Sequence, residues 1–206
     1  MRFRGLKLVP GDLLICSGDA CNYGYVSEFV EFSEWFMAQP FTHKIFVPGN
    51  HDRCLDISSV EDLERYNVLL EKTAMPVFTN DIFVIDGLLF ATCSFTPPFR
   101  DWAFQKNPTA MRQEYNKLTA KIEDSGKKLN FLITHGPPFG TLDIGGAHND
   151  HLGCEVLAEF VEIHRPKYHV FGHIHESYGV KYNYKTGQYS VNCALNGVRE
   201  PVYLEL

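Results

Sequence analysis

Four short apolar runs in this chain each stop at a cluster of polar residues, and that repeated arrangement limits the folds available to it. Asp12-Leu13-Leu14-Ile15-Cys16 leads to Gly18-Asp19, and Lys44-Ile45-Phe46-Val47 leads to Gly49-Asn50-His51-Asp52. Asn130-Phe131-Leu132-Ile133 leads to Thr134-His135-Gly136, and Lys167-Tyr168-His169-Val170-Phe171 leads to Gly172-His173-Ile174-His175. Runs of this length, rich in Ile, Val, Leu and Phe, read as buried strands. In an open α/β sheet the residues just past the strand ends gather along one crevice, so clusters far apart in sequence can meet there. Asp, Asn and His offer oxygen and imidazole donors, a set suited to divalent ions such as Mn, Fe or Zn. The pattern therefore predicts a metal site assembled from strand ends.

Between these runs the punctuation is regular. A helix is predicted near Val26–Ala38 and another near Val60–Thr73. Ile82–Ile85 and Leu88–Cys93 flank Asp86-Gly87, a strong hairpin signal. Phe95–Pro108 reads as a Pro-rich loop, Thr109–Asp124 as a helix stopped by Gly126, and Leu129–Thr134 as a strand. A Gly-rich loop over 136–153 precedes a helix near Cys154–His164, which ends before Pro166. Strands are predicted at Tyr168–Phe171, Gly179–Tyr184, Gln188–Cys193 and Pro201–Leu206. Helices alternate with strands early, and strands dominate late.

The 206 residues, 45% of them hydrophobic and 14% aromatic, suffice for one domain with a substantial core, taken as 1–206. A net charge of -6 argues against a nucleic-acid polymer as partner. No apolar run approaches the roughly 20 residues of a membrane span, and no signal-type segment opens the chain. Six scattered cysteines read as reduced thiols, which points to a cytoplasmic protein.

In this order the clusters resemble the calcineurin-like metallophosphoesterases, whose signature runs D-x-H, G-D, G-N-H-D/E, a lone H, then G-H-x-H. The likeness is greatest to a small branch related to the brain 239 proteins. It extends over Pro97-Pro98-Phe99-Arg100-Asp101-Trp102-Ala103-Phe104, Thr134-His135-Gly136-Pro137-Pro138, Gly153-Cys154-Glu155 and His175-Glu176-Ser177-Tyr178-Gly179. A lone G-D carries little information, whereas G-N-H-D followed by G-H-x-H is specific. One element departs from the pattern: Met1 to Pro10 contain no Asp and no His, so D-x-H is absent and the chain is expected to begin after it. The resemblance implies a four-layer α/β/β/α sandwich whose first strand is missing, leaving backbone groups of a neighbouring strand unpaired.

The resemblance also implies roles. Asp19 would bridge two metals, Asn50, His135 and His173 would complete the second site, and His175 would belong to the first. The i, i+2 spacing of His173 and His175 would aim both rings the same way if that segment is extended. His51 would stay off the metals and protonate the leaving group, with Asp52 fixing its ring. Other readings remain open: Asp19, Asn50 and Asp52 also suit turns, and the two histidines could be the polar face of a strand. His43, His164 and His169 carry no motif and read as structural. His151, on the Gly-rich loop, and Asn50 are candidate substrate contacts, with a solvated surface loop the alternative for His151. Phe99, Trp102 and Phe104 read as core aromatics, or as a wall beside the crevice.

The implied chemistry is hydrolysis of small phosphate esters, nucleotides among the candidates, by a hydroxide held between metals. Manganese is the foremost ion, with iron, zinc or magnesium as alternatives. With D-x-H absent, the first site keeps only Asp19 and His175. Two alternatives follow: a shortened form of an active phosphodiesterase, or a naturally impaired metal- or nucleotide-binding relative.

Overall fold

The computed structural model describes residues 3–57, 60–197 and 199–205. Two sheets lie face to face with helices outside both. The smaller sheet pairs β1 (Gly11–Cys16) in parallel with β2 (Phe41–Phe46). The larger is built from β3 (Ile82–Ile85), β4 (Leu88–Cys93), β5 (Leu129–Thr134), β8 (Tyr168–Phe171), β9 (Gly179–Asn183) and β10 (Gln188–Asn192), in the order β3-β4-β5-β8-β10-β9. A ribbon of β6 (Ile144–Gly145) and β7 (Asp150–His151) lies within the loop that follows β5. Helices α1 (Val26–Met37) and α2 (Val60–Thr73) cover the small sheet, and α3 (Pro108–Ser125) and α4 (Glu155–His164) cover the large one. This is the α/β/β/α layering expected.

Alternation along each strand sets the layers, because successive strand side chains point to opposite faces. In β1, Leu13 and Ile15 join the core between the sheets, while Leu14 and Cys16 turn toward α1. In β4, Phe90 enters the inter-sheet core, and Leu89, Ala91 and Cys93 pack under α3 and α4. A row of rings crosses the large sheet. Phe83, Phe90, Phe131, Tyr168 and Tyr189 follow one another at centroid spacings of 5.5, 4.5, 4.8 and 5.4 Å, and Tyr182 extends the row to β9 at 4.6 Å.

Local signals explain most boundaries. Asn107 caps α3 by accepting from the Ala110 N–H at 2.9 Å, Pro108 sits in its first turn, and Gly126 ends it at φ +62°. Asp86-Gly87 closes the β3–β4 hairpin with both residues at positive φ.

Two expectations are corrected. Pro201–Glu205 forms no strand: Pro201 has no N–H to give, and the segment's described tie to β1's approach is a side-chain bond, the Val9 N–H donating to the Tyr203 hydroxyl at 3.0 Å. Leu206 lies outside the described residues. The second strand starts at Phe41 rather than Lys44, because its pairing with β1 begins at Gly11↔Phe41.

Among the described residues β1 pairs with β2 alone. Both its faces are covered, yet Leu13 to Cys16 are only half-buried, so the exposure lies along the unpaired edge. The strand lines a trough of about 810 Å³ that Trp35, Val191 and Tyr203 also border. At one end of that trough stand Asp19, His51, His173 and His175.

Candidate metal centre

All four polar clusters follow the C-terminal ends of parallel strands: β1 and β2 in the small sheet, β5 and β8 in the large one. The two sheets are stacked with these ends together, so Asp19 and Asn50 meet His135 and His173. Among the described residues, one group of His, Cys, Asp and Glu donors is close enough to share an ion. It is Asp19, His135 and His173, with ligand atoms within 4.8 Å of one another.

Glycines permit this approach. A Cβ on Gly18 would lie 2.5 Å from the Gly49 nitrogen, and one on Gly49 would lie 2.4 Å from the His135 ring. The loops after β1 and β2 therefore touch backbone to backbone, with the His135 imidazole wedged against both. Asp19 and His173 take left-handed conformations, at φ +59° and +68°. Such backbone costs on the order of 1–3 kcal/mol per residue and survives where surrounding bonds impose it.

Asp52 imposes much of it. Its carboxylate, fully buried, accepts the N–H groups of Asp19 (2.9 Å), Gly49 (2.8 Å) and Cys21 (2.9 Å), lacing the first loop to the second. Burial, reinforced by Asp19, pushes its carboxyl up to about 6, while the Gly49 and Cys21 N–H groups favour the ionised form. The expectation that Asp52 fixes the His51 ring is corrected: the ring's Nδ1 lies 2.6 Å from the Asn22 carbonyl, and its face lies 4.1 Å from the Trp102 ring.

The donor set fits a cation. Nδ1 of His135 lies 2.7 Å from the Ser17 carbonyl, which can only accept, so Nδ1 carries the proton and Nε2 of the singly protonated ring presents a lone pair. That lone pair meets Asn50 Oδ1 at 2.9 Å, His173 Nδ1 at 3.1 Å and Asp19 Oδ1 at 3.4 Å. Oxygen and imidazole donors converging on one point in this way are what a divalent ion satisfies. Burial, then the neighbouring His135, lowers His173 to about 3, which keeps it neutral as a ligand must be. Burial opposes ionisation of Asp19, while the surrounding imidazoles, in any form that carries charge, and the donating His51 N–H hold its carboxyl below the usual range.

His175 is corrected in its setting. β8 ends at Phe171, His173 lies in a left-handed turn, and His175 opens a 3-10 turn (His175–Ser177), so the two do not share a strand face. His175 borders the same trough as Asp19 and His173. Its carbonyl accepts from Arg199, and Asn192, fully buried, donates to the carbonyls of Ile174 (2.9 Å) and Leu142 (3.0 Å). His151 is not among the residues bordering the trough. It sits on β7 with Nδ1 2.8 Å from the buried Asp143 carboxylate, its ring 5.0 Å from Phe139.

Asn22 and Asn192 stand beside the site without having been assigned there from sequence, and Trp102, read as a core aromatic or a wall beside the crevice, lies against His51. Asn22 contributes a backbone carbonyl, which no sequence pattern marks. Asn192 ends β10, whose Gln188-Tyr189-Ser190-Val191 lacks the apolar run that marks the other four clusters.

The sequence profile of the calcineurin-like phosphoesterases matches residues 3–177. Metallophosphoesterase domain-containing protein 1 of Homo sapiens is 29% identical over 98% of this chain and 66% of its own length. The UPF0046 protein K07C11.7 of Caenorhabditis elegans is 33% identical over 90% of this chain and 63% of its own. The chain thus spans slightly under two thirds of the length of these relatives. In fold it is similar to TT1561 of Thermus thermophilus, with a TM-score of 0.60 at 14% identity, over 89% of this chain and 76% of that one. With the profile covering every strand-end loop just described, the chain belongs to the calcineurin-like phosphoesterase family.

Proposed function

We propose that the protein is a metal-dependent phosphoesterase acting on small phosphodiesters, with manganese the favoured ion. The observation that carries this reading is the focus of donor atoms at His135 Nε2, where Asn50, His173 and Asp19 converge. Asp19, Asn50, His135 and His173 would hold the ion. When bound, a divalent cation offsets phosphoryl charge and acidifies a water ligand.

The chain's own residues do the rest. The His51 N–H donates to Asp19 Oδ1 at 3.0 Å, tying the proposed acid to the metal-binding carboxylate. The carbonyl of Asn22 accepts a hydrogen bond from Nδ1–H, leaving Nε2 as the atom that gains and gives a proton. An imidazole held through one ring nitrogen can protonate a departing alkoxide from the other. Asn50 and His151 remain proposed substrate contacts, Asn50 through the ion site and His151 from the β6–β7 ribbon.

A second reading, a metal- or nucleotide-binding protein with impaired chemistry, is favoured by the position of His175 outside the three-donor group. Turnover of bis-p-nitrophenyl phosphate with added manganese separates the two. The esterase reading expects hydrolysis that EDTA abolishes. His51→Ala should lower turnover of poor leaving groups far more than good ones while metal content stays unchanged. Metal binding with no hydrolysis of any ester would establish the second reading instead.

A further inference from the structure

A proton donor must be aimed as well as present, and one hydrogen bond does not aim an imidazole. The Asn22 carbonyl fixes the direction of His51 Nδ1 but leaves the ring free to swing about that bond. A contact on the ring face is needed to fix its plane, and Trp102 supplies one at 4.1 Å between centroids, tilted by 38°.

Trp102 is not there by chance of a loose loop. The Ala103 N–H donates to the Asn50 carbonyl at 3.2 Å, and the Phe104 N–H donates to the Asp56 carboxylate at 3.2 Å, so residues on both sides of His51 hold the segment. Arg53, two residues past His51, bonds Asp101 at 3.2 Å and lies 5.6 Å from the centre of the Trp102 ring. Across the loop's base, Thr96 donates to the Phe104 carbonyl and Lys106 donates to the Thr96 carbonyl. The opposite bracket is equally pinned. Glu28, largely buried in the first turn of α1, accepts the N–H groups of Asn22, Tyr23, Gly24 and Tyr25 at 3.0–3.3 Å.

We propose that Trp102 is a positioning residue for His51, clamping the imidazole plane against the Asn22 carbonyl so that Nε2 meets the leaving oxygen. This rests on the reading of His51 as the acid. Misplacing a reacting group by about 1 Å can cost on the order of a hundredfold in rate. Removing the indole face should therefore cost about tenfold to a hundredfold where protonation matters, and little where it does not.

The test uses the full chain with manganese, and a phenyl and a nitrophenyl phosphodiester compared side by side. Trp102→Leu keeps apolar bulk without a flat face, and Trp102→Phe keeps a ring. The expected result is a lower kcat for the phenyl ester in Trp102→Leu, an unchanged KM, near-normal turnover of the nitrophenyl ester, and recovery in Trp102→Phe. In a His51→Ala background Trp102→Leu should add no further loss. Equal losses on both esters, or a full additional loss without His51, would overturn the proposal. The His51 ring protons give a second readout independent of catalysis. In NMR spectra they should lie upfield under the indole and shift downfield in Trp102→Leu. Should His51→Ala show no dependence on leaving group, the acid assignment fails, and this shift still reports whether Trp102 holds the ring; an unmoved signal would overturn the clamp itself.

Discussion

His169 and His173 show how two buried histidines near one site come to different ends. His173 follows β8, where the chain turns left-handed and its Nδ1 meets His135. His169 lies inside β8, fully buried, with Nε2 2.9 Å from the Thr134 hydroxyl and no partner for Nδ1 among the described residues. Thr134 directs its own proton to the Gly136 carbonyl at 2.7 Å, so His169 donates from Nε2 and is a neutral, structural ring. Burial lowers it to about 3. The folded form thus binds a proton less readily than the unfolded one. Its stability is fully present above about pH 6.5 and is lost as pH falls from there toward 3. At pH 5 the loss from this residue is about 2 kcal/mol, at 1.36 kcal/mol per pH unit. In urea titrations with EDTA present, the stability lost by the wild type between pH 7.5 and pH 5 should exceed that lost by His169→Leu by about this amount. Equal acid losses in the two chains would remove His169 as a source of acid sensitivity.

Secondary elements place the site by holding their ends level, and the ring row across the large sheet is central to that. Phe131 stacks between Phe90 and Tyr168, with interplanar angles of 7° and 18°, and lies between the sheets. Phe131→Ala should cost about 3–5 kcal/mol, as a large cavity in a buried core does. Tyr182, at the other end on β9 and 39% exposed, should cost under about 1 kcal/mol when replaced by Ala. Comparable losses in urea unfolding would show that the row does not act through burial. Elements of this kind were legible because period-two alternation and turn residues are local: β5, β8 and the Asp86-Gly87 hairpin fall where the sequence puts them. What crosses between loops was less legible. The pairing of His51 with Asn22 and Trp102, and of Asp52 with the Asp19 and Cys21 N–H groups, depends on segments dozens of residues apart, which no local period encodes. The turn at His173 was hidden for a related reason: a left-handed non-glycine is imposed by the assembled site, against the residue's own preference.

At the scale of the whole molecule, the proposed ion site is a joint between two sheets. Asp19 and Asn50 come from the loops of the small sheet, and His135 and His173 from those of the large one. A cation bound there would add a tie between layers joined by apolar packing and by bonds such as that of His135 to the Ser17 carbonyl, so binding and folding should be coupled. Such an ion stabilises the folded chain by RT ln(1 + [L]/Kd), about 2.7 kcal/mol at a hundredfold excess over Kd. Four converging donors predict one firmly held ion per chain. His175 stands outside the close group, so a second ion should appear only at high metal concentration. Activity should then keep rising with manganese well beyond one equivalent, because a single ion lacks the two-metal clamp on attacking and leaving oxygens. Metal analysis after dialysis should find one ion, and Tm should rise on its return. His135→Ala should remove both the ion and the rise, whereas His43→Ala, whose ring pairs with Asp86 on the β3–β4 turn, should keep both. Two ions retained through dialysis would mean that His175 completes a second tight site with donors outside the close group.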